Sequence, residues 1–72
     1  MNSTIEFRLG GSDYIELKSL LKVSGLCGTG GEAKVAIEQG EVFVDGKLET
    51  RKGFKVKCGH TVTFKKKAIK VL

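Results

Sequence analysis

Gly31-Glu32-Ala33-Lys34-Val35-Ala36-Ile37-Glu38-Gln39-Gly40-Glu41-Val42-Phe43-Val44-Asp45-Gly46-Lys47 decides the fold of this chain. Ala33, Ala36 and Ile37 share one helical face, while Lys34 and Glu38 point elsewhere. Thr29, just upstream, is placed to cap that helix, with Glu32 as its reciprocal partner three residues on. Gly40 ends it. Val42-Phe43-Val44 then reads as a strand, and Asp45-Gly46 as a type I′ hairpin turn whose two central residues take positive φ. Lys47-Leu48-Glu49 is the returning strand. A helix of about three turns does not hold together alone in water. It must dock, and its small alanines let a neighbour come close.

Working outward, Ile5, Phe7 and Leu9 alternate with Thr4, Glu6 and Arg8, the period of a half-buried strand that Gly10-Gly11 ends. Asp13 and Glu16 have capping-box spacing, and Leu17, Leu20 and Leu21 form the apolar stripe of a first helix, closed by Gly25. Downstream, Phe54 and Val56 alternate with Lys55 and Lys57. Gly59-His60 is a turn, Val62 and Phe64 alternate with Thr61 and Thr63, and Lys65-Lys66-Lys67 is a solvated turn. Ala68 to Leu72 completes the chain as a last edge strand. The expected architecture is α+β: a helix–turn–helix pair packed on one side of a small, mostly antiparallel sheet of short strands.

With 72 residues the chain makes one domain, residues 1–72. A chain this short buries only about 60% of its unfolded surface, so its apolar residues are committed to the core and little is left to line a catalytic cleft. The charge is uneven. Residues 1–50 carry five basic and eight acidic residues, net −3, whereas residues 51–72 carry eight basic and no acidic residues, net +8. Such a field attracts polyanions, nucleic acid before an anionic membrane. No stretch is apolar and long enough for a membrane helix, and residues 1–9 lack the apolar segment of a signal peptide. No membrane partner and no small-molecule substrate are expected, and the chain is expected to be a monomer. Cys27 and Cys58, with His60, do not make a zinc spacing, and neither a disulfide nor a cofactor is demanded. His60 has no serine or paired carboxylate beside it in sequence, so no enzyme is expected.

The glycine loop 28–31 is not a phosphate-binding loop of the Walker kind, since no Gly-Lys-Ser/Thr follows. Gly30 and Gly31 nevertheless open a helix and offer backbone N–H groups to a phosphate, although the Glu32 carboxylate competes for the same positive end. Lys22, Lys34, Arg51 and Lys52 are the expected phosphate contacts, with Arg51 also able to fork onto a base edge. Lys47, Lys55 and Lys57 extend the basic surface. The few aromatics are needed for the core, Phe43 excepted, so shape and phosphate recognition of structured RNA fits better than stacking of single strands. The alternative is a protein-interaction module whose basic face meets an acidic partner.

Residues of about 16–64 resemble the RNA-binding domain of ribosomal small-subunit protein four, the S4-type domain with its alpha-L motif. The resemblance is carried by Leu17, Leu21, Gly25-Leu26, Glu32-Ala33-Lys34, Ile37, Gly40, Val42, Val44, Asp45-Gly46-Lys47 and Gly59-His60-Thr61-Val62. The small size, with Gly30 to Lys34, Val44 to Gly46 and Glu49 to Lys52, is similar to small stand-alone bacterial proteins of the YbcJ type. The resemblance implies a cytoplasmic, non-catalytic RNA-binding module associated with ribosomal RNA or ribosome assembly. Three positions depart from the family's pattern. Glu16 and Gly30 stand where arginines are common, and Val35 where a second basic residue is frequent, so the usual RNA face loses positive charge.

Overall fold

The computed structural model describes residues 3–72; Met1 and Asn2, included above in the expected domain, lie outside the described residues. The element order is β1 (Ser3–Phe7), β2 (Ile15–Glu16), α1 (Leu17–Val23), α2 (Gly30–Glu38), β3 (Val42–Val44), β4 (Lys47–Leu48), β5 (Lys55–Val56), β6 (Thr61–Phe64) and β7 (Lys67–Val71). Five strands form one sheet in the order β1-β7-β6-β3-β4, and β2 and β5 form a separate two-stranded ribbon. Every pair is antiparallel except β1 with β7, which run parallel from Ser3 beside Lys67 to Phe7 beside Val71. The helices and sheet are those of the expected α+β class.

Alternation along the strands sets which face is buried. Val42, Val44, Val62, Phe64, Ile69 and Val71 point to one side of the sheet, where they meet Leu17, Leu20 and Leu21 of α1 and Ala33, Ala36 and Ile37 of α2. Ala33 is fully buried, so the close approach that its size permits is used. The hairpin forms as its sequence predicts: Asp45 and Gly46 have φ of 51° and 82°. Asp45 Oδ1 also accepts the Thr61 N–H at 2.9 Å, tying the turn to β6.

Two expectations are corrected. The last segment is not an edge strand: β7 lies inside the sheet, because β1 pairs along its outer side, and Ile69 and Val71 are fully buried in the core. Asp13 and Glu16 do not build a capping box. Residues 15–16 are a strand, α1 begins at Leu17, and Glu16 at its N-cap makes no side-chain cap bond. The first-turn donors find carbonyls elsewhere: Leu17 N–H donates to Phe54 O at 2.9 Å and Lys18 N–H to Lys52 O at 3.1 Å. The β2–β5 pairing thus continues into the first turn of the helix. Backbone groups of a loop do the work usually given to a capping side chain.

Candidate nucleic-acid interface

That continued ladder decides which cations meet. By fixing Lys52 O to Lys18 N–H, it sets the loop after the β4 strand against the start of α1, and α2 packs beside α1. Lys52 therefore falls next to Lys34 of α2, with Lys18 also near it. The electrostatics record the crowding. The Lys52 ammonium is held below the ordinary lysine value, first by direct interaction with the Lys34 amino group and then by its charge; desolvation and Lys18 push the same way, and only Glu38 opposes. Lys52 and Lys18 thus lie on a face whose nearby carboxylates are Glu38 and Glu16.

Lys34 and Lys52 were expected at such a site. Lys18 was not. Its signal in the sequence was its place at the start of α1, two residues after Glu16. Glu16 touches it only weakly, at 3.9 Å and well exposed. Lys22 lies in the last turn of the same helix, exposed, where its charge complements the helix end.

The remaining expected contacts divide. Lys55 is exposed on β5, opposite Glu16 in register, with its ammonium 5.1 Å from the centre of the Tyr14 ring. Lys57 is exposed just beyond; its backbone N–H donates to His60 Nδ1 at 2.9 Å. Lys47 stands apart from the ribbon, on the edge strand β4 of the larger sheet. Gly30 and Gly31 are exposed at the start of α2, capped as predicted by Thr29 Oγ1, which accepts the Glu32 N–H at 3.1 Å. The reciprocal bond goes one residue further back than a capping box requires: Glu32 Oε2 accepts from Gly28 N–H at 3.1 Å. A carboxylate therefore already occupies that helix end.

Arg51 is not a free cation. Its Nε and Nη2 donate to the two oxygens of Glu49 at 2.9 and 3.1 Å, and its own backbone N–H donates to Glu49 Oε2 at 3.0 Å. The three donors hold the Glu49 carboxyl below the usual carboxylate range, Arg51 side-chain hydrogen bonding being the main cause and burial opposing it. His60 is more engaged than a solvated turn histidine. Besides its bond from Lys57, its ring lies 5.8 Å from that of Phe54. Cys27 is buried and Cys58 exposed, both as free thiols. Burial, with Glu32 nearby, raises the Cys27 thiol. Among the described residues no group of three or more histidine, cysteine or acidic side chains could hold a metal ion, and no helix is long and apolar enough to cross a membrane.

Known proteins are similar to this chain in sequence and in fold. Residues 7–72 match the family model described as the S4 domain. YbcJ of Escherichia coli strain K12, provisionally named an RNA-binding protein, is 44% identical to this chain over 66 residues, covering 92% of this chain and 94% of YbcJ. The YbcJ protein of Shigella flexneri, whose name assigns no function, matches over the same shares at the same identity. The solution structure of YbcJ from E. coli, reported to reveal a motif of the αL type involved in RNA binding, superposes with a TM-score of 0.76 at 42% identity, covering all of this chain and 91% of that one. By the family match over residues 7–72 and the 44% identity to YbcJ, this chain belongs to the S4 domain family.

Proposed function

We propose that this protein is a non-catalytic RNA-binding module that grips folded RNA chiefly through its phosphates. The observation that carries this reading is the placement of the Lys52 loop against α1, held by the Lys18 N–H bond to Lys52 O at 3.1 Å, which brings Lys52 beside Lys34 and near Lys18. Cations that repel one another in the free protein are relieved when a phosphate arrives, so part of the cost of holding them together returns as affinity. Membership of the S4 domain family and the likeness to YbcJ point to the same partner. Lys22, Lys55 and Lys57 extend the lysine cluster, and Lys47 and the Gly30–Gly31 N–H groups are outlying contacts, the glycines weakened by the resident Glu32 carboxylate.

In this reading residues 1–72 act as one domain and as a monomer, in the cytoplasm, on RNA of the ribosomal kind or during ribosome assembly. The wide minor groove and phosphate ridges of A-form RNA suit recognition by shape and charge. The test is a titration of structured ribosomal RNA fragments, followed by electrophoretic shift across a salt series. Binding whose logarithm falls linearly with log salt supports the reading. A salt-independent association, or capture of an acidic protein from RNase-treated lysate with no RNA shift, refutes it.

A further inference from the structure

The same face carries a feature that phosphate binding leaves unused. Arg51 offers its guanidinium at 73% side-chain exposure, while the Glu49 side chain that holds it is only 12% exposed. The Nε–Nη2 edge is the fork with which arginine grasps a phosphate, and here Glu49 takes it. The charge of the pair is cancelled as well. What stays open is the flat face of the group and its outer N–H donors. Its Cζ lies 5.2 Å from the centroid of the Phe54 ring. Phe54 is backed by the His60 ring, and His60 is fixed by the Lys57 N–H. Arg51, Gly53, Phe54 and Lys55 line an open cleft of about 530 Å³, in which Gly53 contributes no side chain. Lys55, seated over Tyr14, places a cation at its wall.

We infer that Arg51, clamped in plane by Glu49 and backed by Phe54, is a stacking plate for an unpaired RNA base, with Lys55 receiving the phosphate of the same nucleotide. This rests on the RNA-binding reading and names the part of the RNA that the face selects: a bulged or looped-out base beside a helix. A guanidinium already fixed in orientation loses little freedom when a base settles on it, and bases stack on arginine planes and aromatic rings irrespective of sequence.

The test compares two RNA hairpins of equal charge, one fully paired and one with a single bulged 2-aminopurine, against the intact protein and the variants Arg51→Ala, Arg51→Lys and Glu49→Gln. Circular dichroism checks that each variant is folded. Loss of one stacked base corresponds to a decrease of about 5- to 150-fold. Arg51→Ala should show a loss in that range for the bulged hairpin alone, with the salt slope unchanged. Arg51→Lys, which keeps the charge and loses the plane, should behave alike, and both should abolish the quenching of 2-aminopurine. Glu49→Gln, which frees the fork, should steepen the salt slope. If Arg51→Ala weakens both hairpins equally and lowers the slope by one contact, or if Arg51→Lys binds like the parent, Arg51 is a phosphate anchor and the inference is wrong while RNA binding stands. If the folded parent protein binds neither hairpin at low salt, the RNA-binding reading fails and takes the inference with it.

Discussion

Removing Lys52 tests the proposed phosphate site most directly, because on that reading its loss differs from the loss of any other charge. If Lys18, Lys34 and Lys52 each neutralise one phosphate, they contribute a slope of about −2.7 in log K against log salt, and raising salt from about 50 to 200 mM weakens their share of binding by about 40-fold. Lys52→Ala leaves two contacts, a slope of about −1.8 and a weakening of about 12-fold over the same range. Lys70→Ala removes an equal charge from the chain, but Lys70 lies on β7 opposite Glu6, away from the cluster, and its slope should match the parent. Filter binding with one structured RNA at several salt concentrations measures all three. Equal slopes for Lys52→Ala and the parent, or equal losses for Lys52→Ala and Lys70→Ala, would refute the reasoning, since binding would then sense only total charge.

The same residue gives a pH signature. Because Lys34 and Lys18 hold Lys52 below the lysine value of 10.5, the free protein releases that proton early, and a bound phosphate restores it. Affinity should therefore fall as pH rises through the lowered value, before the other lysines titrate. Lys34→Ala removes the largest cause of the shift and should move this loss to higher pH. Folding responds with the opposite sign. Between the lowered value and 10.5 the unfolded chain binds more protons, so stability should rise with pH there, and Lys52→Gln should erase the rise.

Three further outcomes follow from the fold. Leu20→Ala, which empties a fully buried position in α1 facing the rest of the core, should cost about 2–5 kcal/mol, read as a lowered urea midpoint or outright unfolding. Thr29→Ala should cost about 1 kcal/mol through loss of the bond to Glu32 N–H, lowering Tm by roughly 4–8 °C in a domain of this size, with Thr29→Ser retaining most of it. Glu49, whose carboxyl is depressed from 4.5, adds stability that is fully present above that value and lost as pH falls through the folded value. Urea titrations across the acidic range should show a steeper loss for the parent than for Glu49→Gln.

Local signals carried most of the fold. Period-two alternation, Thr29 before Glu32 and the Asp45-Gly46 pair each specify conformation over a few residues; the Thr29 cap and the hairpin form as the sequence predicts, and only the reciprocal Glu32 bond shifts, to Gly28 N–H. The misread elements depend on partners distant in the chain. Nothing in Ala68 to Leu72 announces that β1, more than sixty residues earlier, will cover its outer side. Asp13 and Glu16 have the right spacing for a cap, but Ile15 and Glu16 pair with Val56 and Lys55, and the loop carbonyls then serve α1 better than a side chain would.

The candidate site shows the same division. Lys34 and Lys52 stand out as single charges, but their meeting with Lys18 is made by two backbone bonds between a helix start and a loop, to which no periodicity points. Arg51 hides its partner from the sequence for a different reason. Counting charge from residue 51 onward gives a tract without acids, and that boundary falls between Arg51 and the carboxylate that neutralises it two residues before. Net charge thus overstates the free positive charge that Arg51 presents. On the RNA-binding reading the cations left for phosphates are lysines on α1, on α2, on the β2–β5 ribbon and, at Lys52, in the loop between β4 and β5. Arg51, its charge met by Glu49 and its side chain exposed, is the group in that loop whose proposed partner is a single-stranded base and not a phosphate.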